Sequence, residues 1–380
     1  SPVAYYQQIG RAGRGVERAD VIALPGREDA DIWAYFASLA FPPEAVVAAT
    51  LAALGRAGRP LSTAALETRV DLTRSRLEMM LKVLDVDGAV RRVSGGWTAT
   101  GQPWAYDGDR YARVAGERER EQQAMLGYLE TAGCRMEYLR RELDDPAARP
   151  CGRCDNCTGQ PWPAPVSAAG AAVAGERLLR PGVVVAPRLM WPPGMSELGV
   201  PLAGRIAAAS QAGPGRAVAA VTGLGWGPRL RELLAEPDGP VPADLVAAVV
   251  AVLAGWDWAD RPAAVVTLPS RTRPGLIASL GEQIAAIGRL RYAGSLAYAD
   301  AGDGAGQSSA GQRNSAQRLR AVWSTLRLPG PVVAALSGAP GPVLLVDDRI
   351  ATGWTVTVAA SLLRDAGAPA VLPFVLALGG

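Results

Sequence analysis

All four cysteines fall between positions 134 and 157: Cys134 first, then Cys151, Cys154 and Cys157 in a C-x-x-C-x-x-C run. The chain has no histidine, so no imidazole can complete a metal site or act as a base. Four thiolates at this spacing suit Zn²⁺, whose closed tetrahedral four-ligand sites are structural. An iron–sulfur cluster is the rival occupant, because such runs also hold clusters. Gly152, Arg153, Asp155 and Asn156 make the intervening sequence polar, which argues against buried, unligated thiols. Two further groupings are charged. Arg11 and Arg14 stand three apart among Gly10, Gly13 and Gly15, an arrangement that can aim guanidinium groups at phosphate charge. Asp347 and Asp348 follow the apolar run Val343–Val346 and precede a Thr-Gly-x-Thr turn.

The elements that must position these groups are legible in part. Asp20–Leu24 has a strand composition, and a helix is expected over Ala30–Ala40, stopped by Pro42-Pro43. Helical apolar spacing runs through Glu44–Gly55. Ser62 and Thr73 are placed to cap helices reaching Val70 and Asp85, the second presenting Leu77, Met80, Leu81 and Leu84 on one face. Two strands around Ser94-Gly95-Gly96 follow, which makes a winged-helix pattern over residues 43–105. Residues 106–158 carry two helical stretches split at Gly133, then the cysteines. Residues 159–175 read as a linker, and 176–240 as an accessory segment without a defensible motif. After about residue 176 apolar strands alternate with helices, from Gly182–Ala186 to Val371–Leu376, as in a mostly parallel sheet with helical flanks, with residues 241–380 as the C-terminal domain. The fold class expected is therefore multidomain α/β and α+β.

Composition closes several routes. With 49% apolar and 20% charged residues, the chain has the balance of a globular protein. No apolar run approaches the roughly 20 residues of a membrane span, and the first residues show no signal-peptide pattern; a cytoplasmic protein without a membrane partner is expected. Lys82 is the one lysine and lies in an amphipathic stretch without a preceding glycine, so this chain holds no P-loop for ATP.

Three resemblances give the motifs a context. Cys134 followed by Cys151-Gly-Arg-Cys154-Asp-Asn-Cys157 looks like the zinc-binding platform of RecQ helicases, and the two helical stretches before it resemble that platform's helical hairpin. Tyr5 to Gly15 resembles motif VI of superfamily 2 helicases in its RecQ form. That resemblance implies an arginine finger at Arg14, with Arg11 beside it and Gln7 coupling ATP to the domain interface. It makes residues 1–42 the end of a second RecA-like domain. Gln8 stands where the family has Glu, and the Asp usual after the second Arg is missing. The intact protein is then expected to be an ATP- and Mg²⁺-dependent 3′–5′ DNA helicase of repair or recombination, with its RecA-like domains upstream and forked or tailed DNA as partner. A winged helix in such a protein implies duplex contacts by Arg69, Arg74, Arg76, Arg91 and Arg92; Trp97 is either a base-stacking or a core residue. The placement of this module before the cysteines differs from most RecQ proteins.

Residues 343–355 look like the phosphoribosyl pyrophosphate (PRPP) motif of type I phosphoribosyltransferases, nearest to the ComF-like group. The resemblance implies that Asp347 and Asp348 accept hydrogen bonds from ribose hydroxyls. Ala351, Thr352, Gly353 and Thr355 would cradle the 5′-phosphate at a helix N-terminus. Leu268–Pro274 is the expected pyrophosphate loop and Gln307–Asn314 the expected covering loop. Trp354 is bulkier than the residue usual in the turn. The competing readings are a metabolic or salvage phosphoribosyltransferase with a zinc-bearing extension, and a non-catalytic nucleotide-sensing scaffold.

Overall fold

The computed structural model describes residues 1–12, 15–17, 19–26, 29, 32–33, 41–160, 167–299, 314–338 and 340–379. The chain divides into two compact units, residues 1–47 with 102–171 and residues 48–101 with 172–380. Among the described residues no helix is long and apolar enough to cross a membrane.

The first helix, α1 (Pro2–Ile9), starts where the Ser1 hydroxyl accepts from the Ala4 N–H and Pro2 fills the first turn. Residues 20–24 form no strand, and Val21, Ile22 and Leu24 are exposed. A strand needs a ladder partner, and the first unit contains no other strand among its described residues. Most of the helix expected over Ala30–Ala40 lies outside the described residues. Helix α2 (Glu44–Ala57) runs across the division between the units.

A helix-and-hairpin module comes next: α3 (Thr63–Glu67), α4 (Arg74–Val86), and strands β1 (Val90–Val93) and β2 (Gly96–Ala99). Ser62 caps α3 through the Ala65 N–H, and Leu77, Met80, Leu81 and Leu84 of α4 are buried. Leu61 exchanges both backbone hydrogen bonds with Trp97, which seals the module. Gly96 has φ +144°, and a Cβ there would collide with the Leu61 carbonyl, so only glycine fits. Helices α5 (Gly108–Glu130), α6 (Arg135–Arg141) and α7 (Asp155–Thr158) belong to the first unit. The Ala/Gly tract expected as linker forms α8 (Ala168–Leu179), in keeping with alanine's helix propensity.

The rest of the second unit is built on six strands: β3 (Val183–Val185), β4 (Gly215–Ala220), β5 (Ala264–Thr267), β6 (Arg291–Ser295), β9 (Val343–Ile350) and β10 (Val371–Leu378). Two short strands, β7 (Ala297–Tyr298) and β8 (Leu326–Arg327), pair apart from them. The sheet order is β3-β4-β10-β9-β5-β6, with every pairing parallel except β3 on β4. The sheet therefore begins inside residues 176–240, where the strand expected at Gly182–Ala186 is β3, while β4 carries a weak Gly/Ala-rich pattern without a strand signal. Alternate strand residues enter opposite cores, as the two-residue period requires. Val266, Val343 and Leu345 meet α12 (Ser315–Thr325), α13 (Gly330–Ser337) and α14 (Trp354–Asp365) on one face. On the other face Val265, Leu344 and Phe374 meet α9 (Gly227–Ala235), α10 (Ala243–Ala254) and α11 (Pro274–Gly288).

Strand β5 leads into α11 on one face, whereas its neighbour β9 leads into α14 on the other. A crevice opens beyond the strand ends wherever successive helices split in this way, and ligands of parallel sheets bind there. Phe374 is fully buried on β10. Phe374→Ala should destabilise the second unit by about 3–5 kcal/mol, measured as a lower midpoint in urea unfolding.

Candidate metal centre and phosphate-binding edge

The four cysteines converge. Cys134 is the N-cap of α6, Cys154 the N-cap of α7, and Cys157 lies on α7. Their Sγ atoms all lie within 4.8 Å of one another. Bonds of about 2.3 Å to a tetrahedral ion give edges of about 3.8 Å, so the cluster is already near the size Zn²⁺ needs. Burial opposes ionisation of Cys134. The N–H groups of Glu137 and Cys151 donate to its sulfur at 3.4 and 3.1 Å, and with the Cys151 and Cys157 thiols they bring it down to about 7. Burial also opposes ionisation of Cys154, yet hydrogen bonds hold its thiol below the ordinary value. Cys157 is held up to about 11, chiefly by its hydrogen bond with Cys154. The thiols thus form one hydrogen-bonded set. An all-sulfur donor set suits Zn²⁺ as a structural cross-link.

Neighbouring side chains fix the cluster to the helices. The Arg135 guanidinium holds Asp155 with Nε at 2.7 Å and Nη2 at 2.8 Å, and Nη1 donates to the Tyr128 carbonyl at 3.0 Å. The same guanidinium lies over the Tyr128 ring and lowers the Asp155 carboxyl. Asn156 donates to the carbonyls of Thr131 and Gly133, both at 2.7 Å. These contacts tie the C-terminus of α5 to the cysteine knuckle. Tyr138 on α6 donates to the Ala124 carbonyl of α5 at 3.0 Å. Tyr5 on α1 sets its ring 5.1 Å from that of Tyr128. Gln7 and Arg11 are exposed beyond it, and Arg14 lies outside the described residues.

A helical module whose four cysteines close on one point is the class this geometry defines, a structural metal module. The family model for the RecQ zinc-binding domain matches residues 107–158, the span that contains α5, α6, α7 and all four cysteines. No curated protein and no solved structure matches the chain.

The second site lies at the crevice of the sheet. Thr267 of β5 is level with Val346 of β9, so Asp347 and Asp348 project just past the end of β5. They stand beside the loop Leu268–Pro274. Burial, then the neighbouring Asp348 carboxylate, raises the Asp347 carboxyl well above the ordinary range. The Asp348 N–H donates to Asp347 Oδ1 at 2.9 Å. Gly353 is the N-cap of α14 with φ +79°, and no side chain caps that helix. Its first N–H groups are therefore placed to receive an anion. Trp354 is turned into the core, 3% exposed, stacked on Trp191 at 6.3 Å between ring centres. Its bulk is thus directed away from the turn.

Arg188 and Tyr298, which carry no sequence signal, and Arg271 of the expected pyrophosphate loop line this edge. Arg188 donates to the Thr352 carbonyl at 3.0 and 2.7 Å and covers the Trp354 ring at 4.9 Å. Arg271 lies 4.7 Å over the ring of half-buried Tyr298, whose hydroxyl is raised by burial and then by the charge of Asp347. Arg273 of the same loop turns away and donates to the Leu233 and Glu236 carbonyls at the end of α9. Of the expected covering loop, residues 307–313 lie outside the described residues, and Asn314 is buried.

The arginines singled out for nucleic acid are dispersed. Arg91 and Arg92 are exposed on β1, and Arg74 is exposed beside Glu78 at 3.0 Å. Arg69 approaches Glu197 at 3.9 Å. Arg76 is 8% exposed within α4, and Trp97 is 6% exposed, a core residue of the module.

Purified chain should hold one Zn²⁺ per molecule by elemental analysis, and Cys154→Ser should lose it. Arg135→Ala should weaken zinc retention about 10–100-fold, read by competition with a chromophoric chelator. Asp347→Asn should raise the melting temperature at pH 8. A folded-state pKa above the unfolded value destabilises the charged form, so the gain should shrink as pH falls toward 4.

Proposed function

We propose that this chain is the C-terminal part of an ATP-dependent 3′–5′ RecQ-like DNA helicase of repair or recombination, carrying an appended domain that binds PRPP. The observation that carries the first half is the RecQ zinc-binding match over residues 107–158, joined to four converged thiols. In this reading Zn²⁺ fixes the α5–α6 hairpin and knuckle. Gln7 at the exposed end of α1 and Arg11 in the turn after it, with Arg14 as the finger, face ATP and Mg²⁺ held by RecA-like domains upstream. The apolar, unpaired stretch Val21–Leu24 fits the end of such a domain. The helix-and-hairpin module acts as a winged helix, with Arg91, Arg92 and Arg74 on duplex phosphates and Arg69 at its margin. Arg76 supports α4 from within.

For the appended domain the supporting observation is the split of helices to opposite faces after β5 and β9. Two adjacent carboxylates, an uncapped helix N-terminus at Gly353 and the cation Arg271 meet where β5 and β9 diverge. Asp347 and Asp348 would take the ribose hydroxyls, and Ala351, Thr352, Gly353 and Thr355 the 5′-phosphate. A metabolic phosphoribosyltransferase with a zinc-bearing extension draws on the same edge. Nucleotide formation from PRPP and a base, lost in Asp348→Ala, would favour it.

The longer protein should hydrolyse ATP in response to tailed DNA, and Arg14→Ala should lower that rate about 10³-fold or more. An unchanged rate removes the finger. Tailed-duplex affinity of the chain should fall with salt, and Arg91→Ala should reduce the log–log slope by about 1. Calorimetry with PRPP and Mg²⁺ should show binding that Asp348→Ala abolishes.

A further inference from the structure

One helix touches both the helix-and-hairpin module and the phosphate-binding edge. Asn314 caps α12 and is 1% exposed. Its Oδ1 accepts from the N–H groups of Ala316 and Gln317 at 2.8 and 3.4 Å. Its amide nitrogen donates to the Glu67 carbonyl, with those of Leu72 and Val70 at 3.4 and 3.5 Å. The Asn314 backbone N–H donates to Asp71 Oδ1 at 3.2 Å, and Gln317 donates to the Thr68 carbonyl at 3.0 Å. Thr68 in turn donates to Glu197 at 3.2 Å. The turn between α3 and α4 is thus keyed onto the first residues of α12.

The far end of α12 reaches the crevice. The helix runs directly into β8, where Leu326 pairs with Tyr298, and the Ala299 N–H donates to the Thr325 carbonyl at 2.7 Å. Tyr298 is the ring beneath Arg271 and beside the acid pair. Along its length α12 buries Ala316, Leu319 and Val322 in the same core as Trp354, Val356 and Ala359 of α14. Packed interiors move as bodies, so a shift at the N-terminus of α14 or at Tyr298 is carried to Asn314.

We propose that α12 couples the two: a phosphoribosyl ligand at Asp347–Thr355 tightens the docking of residues 64–72, and loosening that docking weakens the ligand. The inference rests on reading the crevice as a PRPP site; its reciprocity is required by linkage. Hydrogen exchange on the 380-residue chain, with and without PRPP and Mg²⁺, tests it. Slower exchange at residues 351–357 reports binding. Exchange at residues 64–72 should slow by about five-fold or more, the lower end of coupling energies. Gln317→Ala removes one hydrogen bond from a half-buried side chain. It should keep protection at 351–357 at saturating ligand, reduce the response at 64–72, and weaken PRPP binding. Protection at 351–357 with residues 64–72 unchanged overturns the coupling and leaves the site standing. A Gln317→Ala chain that responds as the parent does overturns it too. No protection at 351–357 sinks the reading of the site, and the coupling with it.

Discussion

Four sulfur atoms within 4.8 Å of one another cannot all be thiolates without a cation among them. Two like charges 4 Å apart repel by about 4 kcal/mol at the effective dielectric of a protein surface, and Cys134 and Cys154 stand at that distance. The surrounding chain depends on how this is resolved. No residue between 142 and 160 is buried, so no apolar core shapes the knuckle. Its form rests on the thiols, on the Arg135–Asp155 pair and on the two hydrogen bonds of Asn156. A multivalent cation turns the largest repulsion in the segment into its main attraction. The pair Arg135–Asp155 then acts as a strut, because each partner is held also by helix backbone or ring contacts.

The crevice of the second unit poses the reverse problem. There the chain gathers carboxylates that no ion pair among the described residues neutralises. Asp347 is set against the end of a parallel sheet with Asp348 beside it, and burial holds its carboxyl high. The uncapped N-terminus of α14 and the guanidinium groups of Arg188 and Arg271 surround the pair without closing on it. Stability alone would favour an amide at position 347. An acid held in its unfavourable form is more common where a chain binds than where it only packs, and the buried core on both faces of the sheet holds it in place.

Legibility in the sequence followed the locality of the signal. The α4 face, the Gly95-Gly96 turn, β5, β9 and β10 were readable because apolar periodicity and caps are properties of short windows. The cysteine cluster was readable because three of its four members fall within one turn and knuckle. Strand β4 was not, since Gly215–Ala220 offers small residues whose strand identity comes from pairing with β10. Asp20–Leu24 had the strand signal and found no partner. Arg188 and Tyr298 escaped notice, and Asn314 was read as part of a covering loop, for a related reason: each acquires its role from residues far along the chain. Trp354 was read as an obstruction because sequence gives size without direction, and α14 turns the ring inward.

Asn314 shows what a polar side chain does that an apolar one could not. A leucine at this position would bury area against the α3–α4 turn, but apolar contact tolerates sliding, and a helix end so held would fix neither angle nor register. A buried carboxamide is unfavourable unless its donors and acceptor are met. Here the acceptor caps α12 while the donors meet the carbonyls of the turn. Both demands are satisfied in one placement only. The same atom group that starts the helix also locks the module to it, so the first turn of α12 and the docking of residues 67–72 form or dissolve together. That shared dependence is the physical ground for treating the module and the sheet as one responsive body.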